Sequence, residues 1–172
     1  MDELAVTVIG HDRPGVIADV AEVLAGLGMN LTDSTMTRLR GHFAMTLICV
    51  GVPDAAAVEA ALEPLTADGS LLATVRGVRA ESEVPAAGGH YLLSMHGADR
   101  LGIVAAVTRA LAQFGGNVTD LTTRLSGSLY LLLAEVDLPP ETDLNALRAR
   151  LAAVAAALGV EVGLRPADAD VL

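Results

Sequence analysis

Asp12, Arg13 and Gly15 stand together in the run Gly10-His11-Asp12-Arg13-Pro14-Gly15, and the same types return as Asp99, Arg100 and Gly102 in Gly97-Ala98-Asp99-Arg100-Leu101-Gly102. An acid, a base and a glycine just ahead of an apolar helical pattern suit anion capture. A helix N-terminus presents unpaired N–H groups and partial positive charge, and glycine lets a ligand approach the backbone. Asp12, with Asn30 and Asp33 on the strand after that helix, would converge on an ammonium group. The set then offers a partner for each charge of a free amino acid. The same residues also have an ordinary structural reading: Asp12 as a helix cap, Gly15 as a packing residue, and Asn30 as accommodation of the turn after Gly28.

The elements that must position these residues occur twice. Between Gly10 and Asp33 the identities Gly10, Asp12, Arg13, Gly15, Ala18, Val20, Leu24, Ala25, Gly28, Asn30, Thr32 and Asp33 all recur at an offset of 87 residues. A repeat that keeps glycines and polar residues as well as apolar ones reuses one backbone geometry, and a period this long excludes a solenoid. The chain of 172 residues therefore divides into two small modules. We expect 1–81 and 90–166 to be domains, with 82–89 as linker and 167–172 as tail. Modules this small bury a limited share of their surface, so an oligomer is expected.

Leu4 to Ile9 alternates as a strand, and after Pro14 the period changes. Val16, Ile17, Val20, Val23, Leu24 and Leu27 share one helical face, with Pro14 suited to the first turn and Gly28 to the stop. Met29 to Leu39 and His42 to Val52 make a hairpin about Gly41, Val58 to Leu65 a second helix, and Leu71 to Ala80 a closing strand. The order β-α-β-β-α-β then repeats, with strands at Tyr91 to His96, Asn117 to Leu125, Leu129 to Leu138 and Val160 to Arg165. Helices fall at Leu101 to Phe114 and Asp143 to Leu158. This is the split βαβ arrangement, an α+β fold with an antiparallel sheet and both helices on one face.

Composition excludes several classes. The formal charge is −10, with 11 basic residues against 21 acidic, which leaves no basic face to displace counterions from nucleic acid. Two Phe, two Tyr and no Trp give too few stacking platforms for an RNA-recognition sheet. No apolar run approaches the ~20 residues that span a bilayer, and the N-terminus carries no signal-like segment. A cytoplasmic protein without a membrane partner is expected. The single Cys49 in an apolar run reads as a buried thiol in a reducing compartment. No metal-ligand spacing, nucleophile elbow or phosphate loop occurs, so neither a metal, a cofactor nor catalysis is expected.

The run Asp12-Arg13-Pro14-Gly15-Val16, with Asn30 downstream, resembles the signature of ACT domains, small amino-acid-sensing modules of metabolic regulation. Asn30 through Met45 is similar to the glycine cleavage system transcriptional repressor family, which consists of two ACT domains in tandem. The resemblance implies two ferredoxin-like βαββαβ modules, small-molecule binding at domain interfaces, and regulation through protein contacts. Carried over by position, it places the ligand-binding residues at Asp12, Arg13, Pro14, Gly15, Val16, Asn30 and Asp33, and in the second copy at Asp99, Arg100, Gly102, Ile103 and Asn117. The function it implies is a non-catalytic regulator that binds a glycine-like amino acid and controls a partner protein, such as a transcriptional regulator of amino-acid or one-carbon metabolism. The alternative is a structural dimerisation module without ligand. The copies differ at Pro14 against Leu101. The shared Thr-Arg-Leu, Thr37 to Leu39 and Thr123 to Leu125, is offset by 86, which implies one missing residue after Asp120 and favours the first copy as the better-preserved site.

Overall fold

Period-two alternation and helical stripes each settle where the sequence places them. The computed structural model describes residues 2–79 and 88–167, which form two units divided between Ser82 and Glu83. The first unit runs β1 (Asp2–His11), α1 (Val16–Gly26), β2 (Asn30–Leu39), β3 (His42–Val50), α2 (Ala55–Thr66) and β4 (Leu71–Arg79). The second runs β5 (Gly89–Ala98), α3 (Ile103–Ala112), β6 (Asn117–Ser126), β7 (Leu129–Leu138), α4 (Leu144–Leu158) and β8 (Val160–Pro166). The sheet orders are β2-β3-β1-β4 and β6-β7-β5-β8, antiparallel at every neighbour. Most of the expected linker and tail, residues 80–87 and 168–172, lies outside the described residues, and Gly89 belongs to β5.

In the first unit Leu4, Val6 and Val8 of β1, with Phe43, Met45, Leu47 and Cys49 of β3, bury one sheet face. Val16, Val20 and Leu24 of α1 and Val58 and Leu62 of α2 pack over it. Leu93, Met95, Leu132, Ala134 and Val136 build the matching face of the second unit beneath Val107, Leu111, Leu147 and Leu151. The other face of each sheet carries no helix. Asp54 caps α2 through the Ala57 N–H at 2.8 Å, and Asp143 caps α4 through the Asn145 and Ala146 N–H groups at 3.0 Å.

Glycine retention in the repeat has two separate causes. A Cβ on Gly10 would lie 2.1 Å from the Ser70 carbonyl oxygen, and one on Gly97 would lie 2.7 Å from Val160 Cγ1, so these positions let neighbouring strands approach closely. Gly15 and Gly102 instead adopt φ of 89° and 84°, a left-handed conformation that costs an L side chain ~1–3 kcal/mol.

The offset between copies stays at 87 through the whole hairpin, which corrects the missing residue expected after Asp120. Arg38 pairs with Phe43 and Leu125 with Tyr130, and both β2 and β6 carry one bulge, at Leu31/Asp33 and Val118/Asp120. The two Thr-Arg-Leu runs are therefore out of structural register by one residue. A one-residue slip changes faces. Arg38 lies in register with buried Phe43, whereas Arg124 lies in register with exposed Leu131.

Cys49 is fully buried, its S–H lies 3.5 Å from the Leu4 carbonyl, and burial pushes its thiol pKa up. It should therefore stay unmodified by thiol reagents in the native protein and react once unfolded. Native-state labelling monitored by mass spectrometry checks this, and rapid stoichiometric modification would contradict the packing.

Candidate functional site

The loops from β1 to α1 and from β5 to α3 have the same backbone hydrogen bonds. Val16 N–H donates to the Arg13 carbonyl at 3.4 Å and Asp19 N–H to the Gly15 carbonyl at 2.9 Å. Ile103 to Arg100 and Ala106 to Gly102 repeat both distances. Neither helix has a side-chain cap, so the structural reading of Asp12 as a cap is not met. Among the described residues, the first-turn N–H groups of Ile17 and Ala18, and of Val104 and Ala105, have no hydrogen-bond partner. Each loop thus offers donors at the positive end of a helix. Val16 and Ile103 are buried at 3% and 2% exposure, so their side chains belong to the core and only their backbone opens the helix.

Around identical backbones the side chains differ. Asp12 accepts from Arg38 Nη1 at 3.3 Å, and Arg13 Nη2 lies 2.6 Å from Asp19 Oδ2. In the second unit Leu125 stands at the Arg38 position and Ala106 at the Asp19 position. Among the described residues, Asp99 and Arg100 have no oppositely charged group within 4.0 Å. With Gly102, Ile103 and the half-buried Tyr130 they line a cavity of about 570 Å³. Tyr130 occupies the position of the fully buried Phe43. Leu101, in place of Pro14, is wholly exposed at the rim.

The charge of Arg13 also acts on the turn before β4. The Asp68 carboxylate accepts from the Ser70 N–H at 2.8 Å, and that serine holds its pKa below the ordinary value, with Arg13 adding to the effect. A depressed aspartate stabilises above its unfolded pKa and loses that contribution as pH falls through the folded one. Both charges of the first loop are thus engaged within their own unit.

Asn30 and Asp33 do not join the loop of their unit. β2 runs eight residues from Asn30 to Arg38, about 26 Å at the rise of a strand. Asn30 pairs with Val50 at the end of the sheet remote from Asp12, and Asn117 with Asp137 likewise. Asp33 lies in register with Ile48, on the sheet face away from the helices. The expected convergence of Asp12, Asn30 and Asp33 therefore fails within one module, because α1 carries the chain back across the sheet before β2 begins. The sequence also gave no sign of Arg38, Asp19 or Tyr130, whose roles depend on register.

Two four-stranded antiparallel sheets with paired helices, each with a left-handed glycine at the start of its first helix, define a tandem of small α+β modules of the ferredoxin-like type. The ACT domain pattern matches residues 2–76 and 90–165, and the chain belongs to the ACT-domain family. The UPF0237 protein of Methanosarcina mazei is 30% identical over 80 residues, 46% of this chain and 87% of the relative. The UPF0237 protein MK1213 of Methanopyrus kandleri is 46% identical over 48 residues, 28% of this chain, and the match spans about half of that relative, 53%. Among solved structures, an unknown protein from Galdieria sulphuraria aligns with a TM-score of 0.78 at 28% identity, over 96% of this chain and 98% of that one. A protein provisionally named a glycine cleavage system transcriptional repressor aligns with a TM-score of 0.74 at 20% identity, over 96% and 97%. That likeness establishes the shared tandem fold. No helix among the described residues is long and apolar enough to cross a membrane, and no group of three or more metal-binding side chains occurs among them.

Proposed function

We propose that this chain is a non-catalytic cytoplasmic regulator that binds a small, glycine-like amino acid at the loop opening α3 and passes occupancy on to a partner protein, one that controls amino-acid or one-carbon metabolism. The observation that carries this reading is the cavity beside Asp99, Arg100 and Gly102, where an acid, a base and two helix N–H groups lack partners among the described residues. The carboxylate would take the Val104 and Ala105 N–H groups and Arg100, and the ammonium would take Asp99.

The same chemistry at Asp12, Arg13, Pro14 and Gly15 must first displace two ion pairs. Exposed pairs contribute ~0.2–1 kcal/mol each, so their loss weakens binding by a factor of about 2 to 30. The second loop is therefore the stronger site, the reverse of the order implied by Pro14. Asn30 and Asn117 contribute only if a second copy of the chain brings its own strand start to the loop.

A regulator must bind its ligand more tightly in one arrangement than in another. A thermal-shift screen of the twenty amino acids tests the binding step: glycine or a comparably small member should raise the melting temperature, and the ligand should be recovered unchanged. A screen without any shift would instead support a structural dimerisation module.

A further inference from the structure

We infer that the Tyr130 hydroxyl selects among ligands at the loop opening α3, and that this site takes a small neutral amino acid with a side-chain hydroxyl, serine or threonine, ahead of glycine or alanine. The inference rests on the reading of that loop as an amino-acid site. Tyr130 stands near the start of β7, in register with Leu125 on β6 and Gly97 on β5. Side chains alternate along a strand, so Tyr130 shares the face of Leu132 and Ala134, and its ring packs against the core beneath the helices. Phe43 holds the same place in the first unit, between Arg38 and Gly10, and is wholly buried. The two side chains differ by one oxygen, which extends past the volume that a phenyl ring fills.

The neighbours of that oxygen also differ. Side chains in register on adjacent strands lie on one face, so Arg38 flanks Phe43 while it reaches Asp12 at 3.3 Å. Leu125 flanks Tyr130 instead, carries no group that could pair with Asp99, and is 42% exposed. On the other side Gly97 adds no side chain. Tyr130 is accordingly half-buried and lines the cavity with Asp99, Arg100 and Gly102. A tyrosine O–H that leaves bulk water usually finds a partner, and this one has none among the described residues.

The cavity of about 570 Å³ is of the size that holds drug-sized molecules, so glycine, fixed by its two charges, leaves room for a side chain. The chemistry of the lining narrows which side chain that is. Asp99 repels an acidic one and Arg100 a basic one. An apolar one displaces water from the Tyr130 hydroxyl without replacing its hydrogen bond. A ligand hydroxyl both donates and accepts, as the tyrosine does, so the pair forms in either sense. One neutral hydrogen bond at a half-buried position favours the hydroxyl ligand by about 2- to 12-fold over its counterpart without the oxygen.

Titration of the full chain with serine, alanine, threonine and valine, followed at the Val104 and Ala105 amide resonances, tests the inference without interference from the first loop. In the unaltered chain serine should bind more tightly than alanine, and threonine more tightly than valine, each by about 2- to 12-fold. Tyr130→Phe keeps the ring and removes only the oxygen. It should bring both ratios to about one by weakening serine and threonine while alanine and valine hold their affinities. Equal binding of serine and alanine by the unaltered chain would overturn the inference and leave amino-acid binding at the loop standing. A preference that survives Tyr130→Phe, or a loss shared equally by all four ligands, would remove Tyr130 as the selecting group. Absence of any shift at these amides with all four ligands would overturn both the inference and the reading beneath it.

Discussion

Gly102→Val should remove the rise in melting temperature produced by a small amino acid, while Gly15→Val should leave most of it. Both glycines sit in the left-handed region, at φ of 84° and 89°, so a β-branched residue strains each loop by ~1–3 kcal/mol and draws the first-turn N–H groups out of line. A Cβ at Gly102 meets nothing within 4 Å and one at Gly15 meets only Arg13 Nη1 at 4.0 Å, so neither change clashes with the core. Each variant should therefore fold, at a melting temperature lower by about 4–24 °C. The difference between them comes from side chains alone: Asp99 and Arg100 have no ionic partner among the described residues, whereas Asp12 and Arg13 are held by Arg38 and Asp19. Differential scanning fluorimetry with and without ligand reads both effects. Equal loss in the two variants would mean that the ion pairs do not rank the loops.

Phe43→Ala should have the largest effect on stability. Phe43 is wholly buried on β3, in register with Gly10 on one side and Arg38 on the other, under the strand end that leads into the first loop. Truncating a buried phenylalanine costs ~3–5 kcal/mol. In a unit of this size each kcal/mol lowers the melting temperature by roughly 4–8 °C, so a loss of at least about 12 °C is expected in the transition that reports the first unit. Tyr130→Phe at the matching position should be nearly neutral for stability, because Tyr130 is half-buried and its hydroxyl has no hydrogen-bond partner among the described residues. Calorimetric unfolding checks both, and a loss below about 1 kcal/mol for Phe43→Ala would contradict the packing.

Element order was legible because helix and strand periods differ, and because Gly10, Gly15, Gly28 and Asn30 recur with Gly97, Gly102, Gly115 and Asn117. Strand ends shifted by one to three residues: β5 extends from the expected Tyr91–His96 to Gly89–Ala98, and α3 begins at Ile103, after the left-handed Gly102. The loop residues were legible as a group, since adjacency in sequence is adjacency in space there. Asn30 and Asp33 were not, because their distance from Asp12 depends on which end of the sheet α1 returns to. The Thr-Arg-Leu match misled for a related reason. Identical tripeptides at offset 86 imply a deletion, yet hairpin pairing keeps 87 and places Arg38 and Arg124 on opposite faces. Only that register reveals which loop has its charges satisfied.

Amide NMR of the full chain during titration with glycine, or with the small amino acid selected by the thermal screen, tests the proposed site most directly. The Gly102, Val104 and Ala105 resonances should shift first and saturate together, with those of Gly15, Ile17 and Ala18 following at higher concentration. Saturating shifts confined to residues away from both loops, or none at millimolar ligand, would contradict amino-acid binding at these helix starts.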